Sequence, residues 1–252
     1  MPINRMYRAA FILALSCGLV TPAMAGNWNI GIGGLAAPNP YIGNGGTKTT
    51  ILPFFFYEGE RFFVELDQAQ YQVFDNGTIS VGLIGLLRFQ GYEPDDNAAL
   101  AGMQRRNTSL DAGGSIAYTN RLGTLSFTAL TDISDTHEGD ELVLSWEIPF
   151  TVGKNWLLSP SVGMSWKSDD LIDYYYGVTG VTSREARPGR PAYQGQSSAD
   201  GFVGLGVFYN LSSHWTAIAQ FNYETLSKRI TDSPIVEDDN QWYGFLGVVY
   251  EF

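Results

Sequence analysis

The chain has 252 residues and a mass of 27.7 kDa, with only 16% charged residues against the ~25% usual for soluble domains. Its 29 glycines and 14% aromatic content fit neither collagen, coiled coil nor disorder. A net charge of −11 supplies no clustered positive charge for a phosphate backbone, so no nucleic-acid partner is expected. The single Cys17 supports neither an internal disulfide nor a zinc site. No apolar run reaches the roughly 18 residues of a membrane-spanning helix, so any membrane role has to come by another route.

Arg5 and Arg8 precede an apolar run from Ala9 to Val20, and Ala23-Met24-Ala25 places small residues before Gly26. This predicts a cleaved secretory signal over residues 1–25, with 26–252 as one mature domain. Lipidation at Cys17 is disfavoured because Ala14-Leu15-Ser16 puts no leucine at −3. Cleavage removes two arginines and the cysteine, leaving 227 residues at net −13 and without a disulfide. An exported chain of this kind suits a bacterial cell envelope.

Period-two alternation dominates the mature chain. Trp28 to Leu35 is the first strand-like segment, and its Gly31-Ile32-Gly33-Gly34 reads as strand glycine, because no helix with Lys-Ser/Thr follows to make a phosphate loop. Between Leu66 and Tyr71 the apolar phase slips from even to odd positions, as a bulge or a break between two strands would require. Alternating segments then run over Ile79–Phe89, Leu125–Ile133, Leu142–Val152, Trp156–Trp166, Val203–Leu211, Trp215–Tyr223 and Gln241–Phe252. They are longer than the roughly 5 to 6 residues typical of soluble strands and match a tilted bilayer crossing. Trp156 and Trp166, or Trp242 and Tyr250, end the apolar faces where amphipathic rings meet headgroups. The opposite faces carry Glu141, Glu147, Lys167, Glu224 and Glu251 among small polar residues, which predicts a polar lumen.

Tight turns are expected at Asp75-Asn76-Gly77, Asn120–Gly123, Val152–Asn155 and Leu211–His214, and long loops near 92–108, 169–196 and 226–240. Short turns face the periplasm and long loops the outside in outer-membrane barrels. The expected fold is therefore all-β, an antiparallel transmembrane β-barrel of the outer membrane. A break at the phase slip gives 12 strands; placing Trp28–Leu35 outside the wall gives 10.

Candidate chemistry is sparse. Asp132, Ser134, His137 and Glu138 contain the residue types of a Ser/His/acid site, but lie within a few residues of one another in a polar loop, and solvated loop polarity is the expectation. His214 sits in a Ser-rich turn, and the acidic pairs Asp169-Asp170 and Glu237-Asp238-Asp239 read as hydrated faces. No catalytic residue, metal site or cofactor is predicted. Arg184, Arg187 and Arg190 concentrate positive charge in one long loop, while 232–239 is acidic. We expect these loops to pack over the barrel mouth through arginine–carboxylate pairs, with Tyr174, Tyr175 and Tyr176 as packing surface.

Beyond pattern, particular residues match a family. Tyr174-Tyr175-Tyr176-Gly177-Val178, then Glu185, Arg190-Pro191-Ala192-Tyr193, Asp232-Ser233-Pro234-Ile235-Val236 and the terminal Tyr250-Glu251-Phe252 resemble the MipA/OmpV family of outer-membrane proteins. Pro40-Tyr41-Ile42-Gly43, and Leu100-Ala101-Gly102-Met103 with Arg105 or Arg106 after it, are similar as well. The resemblance implies a barrel embedded in outer-membrane lipid and lipopolysaccharide. It also implies a non-enzymatic scaffold contacting a murein lytic transglycosylase and a peptidoglycan synthase. Permeability proteins and adhesins of the same family supply the alternative role. Trp242, Tyr250 and Phe252 are the expected barrel-assembly signal.

Overall fold

The computed structural model describes residues 27–252 apart from 39, 44–46, 95–96 and 181–184. The expected signal segment 1–25 and Arg184 lie outside the described residues. Thirteen strands among the described residues form one antiparallel sheet. They are β1 Asn27–Pro38, β2 Thr47–Glu58, β3 Phe62–Val64, β4 Gln68–Asp75, β5 Ile79–Arg88, β6 Ser109–Asn120 and β7 Gly123–Asp132. The remainder are β8 Asp140–Glu147, β9 Phe150–Val152, β10 Trp156–Lys167, β11 Ser198–Asn210, β12 Trp215–Thr225 and β13 Asn240–Glu251. Pairing of β1 with β13 and of β10 with β11 closes the sheet on itself.

β8 and β9 both lie along β10, so they are one stave interrupted at Ile148-Pro149, where proline lacks the N–H a ladder needs. The barrel therefore has 12 staves, and β1 is part of the wall. The phase slip between Leu66 and Tyr71 begins at a break between two strands, and a bulge follows just beyond it. The chain reverses at 65–67 between β3 and β4, with Glu65 N–H on Gln68 O at 2.8 Å, and the β4–β5 register shifts between Gln72 and Phe74.

The apolar face points outward on every long strand. Ile30 and Ile32 on β1, Phe127 on β7, Leu144 on β8, Met164 on β10 and Leu246 on β13 are exposed, as residues facing hydrocarbon must be. Aromatic rings cluster at the turn end: Trp156 against Tyr209 at 4.5 Å between centroids, Trp215 against Tyr250 at 5.2 Å, and Tyr250 against Phe252 at 5.1 Å. At the other end Trp242 stacks on Phe221. These girdles bound the apolar band.

The inward face is less uniformly polar than the sequence suggests. Toward the turn end, Phe54, Leu157, Phe208, Ile218, Phe245 and Val249 pack into a buried apolar cluster inside the barrel. Glycines make room for it: a Cβ on Gly31 would meet the Phe54 ring at 2.4 Å, and one on Gly33 the Phe245 ring at 2.5 Å. The expected polar lumen is confined to the middle and the loop end, because rings lying over these glycines fill the rest.

One part of the wall is thin. β2 runs for 12 residues but meets the three-residue β3 only at Tyr57 and Glu58. Above that point its outer edge has no strand partner among the described residues. Gly59 N–H donates to Phe62 O at 2.9 Å, which sets the ladder so that the odd residues Ile51, Pro53 and Phe55 aim their backbone groups at this free edge. Pro53 has no N–H to leave unpaired there, as suits an edge position.

Candidate functional site

The interior charges gather at the loop end of the strands. Arg88 Nη2 lies 2.7 Å from Asp111 and 2.6 Å from Glu141, and Lys167 Nζ lies 3.0 Å from Asp200 and 2.6 Å from Glu224. Of these residues Asp111, Glu141, Lys167 and Asp200 are buried. Period-two alternation puts each on the lumen face; pairing and curvature of neighbouring strands bring together partners between 23 and 57 residues apart.

Above this layer the long loops fold inward. Helix α1, Asp169–Tyr176, starts at Ser168, whose hydroxyl accepts from Leu171 N–H, with Asp169 and Asp170 in its first turn. It buries Leu171, Ile172, Tyr175 and Tyr176 completely. A short helix α2, Lys228–Thr231, adds Ile230. Tyr41, Tyr92, Leu100, Met103, Val178, Ile235 and Val236, from four different loops, complete one apolar core across the mouth.

Polar contacts tie the cap together. Tyr41 Oη donates to Tyr175 O at 3.2 Å, Ser233 Oγ to Tyr176 O at 2.6 Å, and Tyr193 Oη to Arg229 O at 2.9 Å. The Tyr176 hydroxyl accepts from Gln241 at 3.2 Å, and burial pushes its phenol up to about 12, so it stays neutral. Tyr174 Oη accepts from Asn107 N–H, and the Arg106 guanidinium lies 5.4 Å from the Tyr174 ring centre. Gly177 follows α1 where a Cβ would meet Asp173 O at 2.3 Å.

Two of the three arginines in the α1–β11 loop act differently from the expectation. Arg190 donates to the carbonyls of Glu185, Ala99 and Ala101 at 2.8, 3.0 and 3.1 Å, and Arg187 donates to Ala99 O. They clamp the 98–101 segment instead of pairing with the acidic 232–239 loop. In the 3-10 turn Ala98–Leu100, Ala98 O and Leu100 O accept the N–H groups of Ala101 and Met103, which leaves Ala99 O and the C-cap Ala101 O as the nearer acceptors for the arginines. Glu185 supplies the charged contact, taking Gln104 N–H at 2.9 Å, Thr179 N–H at 2.8 Å and Arg106 at 3.4 Å. Burial raises the Glu185 carboxyl, but these N–H bonds outweigh it and, with Arg106, hold it below the ordinary glutamate value. In the acidic loop, Asp232 caps α2, Glu237 accepts from Gly43 N–H, and the Ser233-Pro234 turn seats Ile235 in the core.

The 132–138 turn is also less solvated than expected. Asp132 accepts N–H bonds from Ser134, Thr136, His137 and Glu138, which holds Asp135 and Glu138 at positive φ of 52° and 54°. His137 is buried; Nε2 pairs with Asp111 Oδ1 at 3.0 Å and Nδ1 accepts from Gly139 N–H at 3.0 Å. Ser134 Oγ bonds Asp132 and Thr136, so serine and histidine face different partners and make no nucleophile–base pair. Asp111, Asp132 and His137 bring potential ligand atoms within 4.8 Å of one another. Arg88, Ser109 and backbone N–H groups already occupy those carboxylates, which suits a fastened turn better than a metal site.

The residues quoted for the family resemblance, scattered through the sequence, thus meet in one cap, and the terminal Tyr250 and Phe252 stand in the girdle at the opposite end. The model of the family described as MltA-interacting protein MipA matches residues 30–252. The chain belongs to the MipA family. It is similar to the "Putative outer membrane protein YiaT" of Escherichia coli K12, at 28% identity over 255 residues covering 100% of both chains. It is 27% identical over 250 residues to the "MltA-interacting protein" of the same organism, covering 96% of this chain and 98% of the relative. The "Outer membrane protein OmpV" of Vibrio cholerae matches at 29% over 200 residues, covering 79% and 76%. As a MipA-family barrel, the protein resides in the outer membrane.

Proposed function

We propose that this MipA-family protein is a non-enzymatic, capped barrel that serves as an outer-membrane anchor for a murein lytic transglycosylase and a peptidoglycan synthase. The observation that carries the reading is the double closure of the lumen, by the loop core above and the apolar cluster near the periplasmic end. A barrel filled at both ends is poorly suited to transport and well suited to rigid support. The name of the Escherichia coli relative, MltA-interacting protein, supplies the enzyme class. In this reading Tyr174–Tyr176, Gly177, Glu185, Arg187, Arg190, Tyr193 and Asp232–Pro234 hold the cap. The periplasmic partners meet the rim of turns around Arg121, Lys154 and Ser213.

Photo-crosslinking residues placed singly at those three rim positions should capture a lytic transglycosylase in intact envelopes, whereas one placed in the cap at Arg187 should not. Absence of any murein enzyme from all three rim positions would contradict the reading. A permeability role is the second reading, favoured by one feature. Ser115, Ser126, Thr128, Gln220 and Asn222 have buried side-chain atoms without protein partners between the two closures, as a hydrated band would supply.

A further inference from the structure

The turn between β7 and β8 holds its buried histidine in a way that leaves room for one proton only. The His137 side chain is 0% exposed; Nε2 lies 3.0 Å from Asp111 Oδ1, and Nδ1 accepts the Gly139 N–H at 3.0 Å. A ring nitrogen that accepts cannot also carry hydrogen, so the proton sits on Nε2 and the ring in the closed turn is neutral. A second proton on Nδ1 would set two N–H groups against each other and leave the buried Gly139 donor without its acceptor. Asp135 and Glu138 stand at positive φ in the same turn, a conformation that persists only while the surrounding bonds hold it.

The charges around the ring do not offset that loss. Asp111 of β6 is the carboxylate in contact with the imidazole, and it is already matched: Arg88 of β5 puts Nε and Nη2 on its Oδ2 at 2.9 and 2.7 Å, and Ser109 donates to Oδ1. Glu141 of β8 accepts from the same Arg88 Nη2. Asp132 of β7 gives Oδ2 to the N–H groups of Thr136, His137 and Glu138. Asp135, Glu138 and Asp140 are exposed, where water screens them. From α1 the ring meets Tyr174 and Tyr175, with centroids at 6.4 and 5.9 Å, so that side offers aromatic faces and no carboxylate.

What the turn holds is the start of α1. A Cβ on Gly139 would meet Leu171 N at 2.5 Å and Ser168 Oγ at 2.6 Å, so the turn lies against the helix N-terminus. Asp140 N–H donates to Ser168 Oγ and Ser168 N–H donates to Asp140 O, both at 2.9 Å. Ser168 is the N-cap of the helix that carries Leu171, Ile172, Tyr175 and Tyr176 into the cap core. We propose that His137 is an acid-sensitive latch of the cap: a second proton on Nδ1 frees the 132–139 turn from Ser168 and loosens α1. An imidazole released into water takes that proton between about pH 5 and 8, whereas the closed turn excludes it. The loosened form therefore binds one proton more and gains as pH falls. The inference stands independently of any murein partner.

A nitroxide label on Asp170→Cys, an exposed position in the first turn of α1, reads the latch in the detergent-solubilised full-length barrel. The ratio of mobile to immobile label should rise between about pH 7.5 and about pH 5, by up to about tenfold per pH unit, the limit for uptake of one proton. The chain has 2 histidines, so each can be replaced in turn. His137→Asn, whose amide oxygen can take the Gly139 N–H without titrating, should keep the label immobile throughout, and His214→Asn should respond as the unaltered protein does. An unchanged ratio in the unaltered protein, or the same response in His137→Asn, would overturn the proposal. Should His137→Asn fail to fold, carbon-13 histidine spectra of the protein with both histidines intact decide. The His137 imidazolium should appear only in step with the mobile label, and its appearance while α1 stays immobile would contradict the latch.

Discussion

Lys167→Met is expected to lower the stability of the folded barrel by about 3–5 kcal/mol, the usual loss when one member of a buried ion pair is removed. Nζ lies between Asp200 at 3.0 Å and Glu224 at 2.6 Å, and its side chain is 6% exposed. Methionine keeps the stem but strands two carboxylates beneath the cap. The destabilisation is therefore due to the remaining acids as much as to the lost lysine. Adding Asp200→Asn and Glu224→Gln should recover most of it, because neutral amides can share hydrogen bonds where two carboxylates repel. Unfolding of purified protein in detergent, followed by the folded-to-unfolded gel shift, measures both variants. A change under about 1 kcal/mol in the single variant would mean that the site is wet and screened.

On the outer face, Leu246→Lys should cost about 2–4 kcal/mol and sharply reduce assembly in the membrane. Leu246 is 67% exposed and lies midway along β13 between Trp242 and Tyr250, opposite Gly34 of β1 and Ala219 of β12. Its surroundings are hydrocarbon. Trp242→Lys, at the interface, should cost only about 0–1 kcal/mol, since depth controls the penalty. Heat-modifiable mobility of membrane fractions separates the two, and equal assembly of both variants would contradict the placement of the bilayer.

The contrast between the two faces shows what the sequence can express. The lipid face is a local property: Trp156, Leu158, Val162, Met164 and Trp166 alternate within one segment, and a slip by one residue would turn them all inward. The lumen is a non-local property. That Lys167 faces inward follows from the same alternation, but its partners lie on β11 and β12 and are fixed only by the register and curvature of those neighbouring strands. Phe54, Phe208 and Phe245 were harder to place, because they alternate against outward residues that are equally apolar; the flat glycines opposite them are the signal. Helix α1 carried a readable start in Ser168-Asp169-Asp170 and an apolar repeat in Leu171, Ile172, Tyr175 and Tyr176. It is masked by polar loop on both sides. The arginine–carboxylate pairing across the mouth was expected from charge alone, and the unsatisfied carbonyls of 99 and 101 that took Arg190 instead leave no compositional trace.

Single-channel recording in planar bilayers tests the closed, capped lumen most directly. Twelve staves enclose a bore between the filled eight-stranded and the open sixteen-stranded barrels, so the wall by itself does not decide conduction. The intact protein should show low or no conductance, and deletion of 180–192, which removes Glu185, Arg187 and Arg190 from the cap, should raise it. A large, steady conductance from the intact protein would contradict the account.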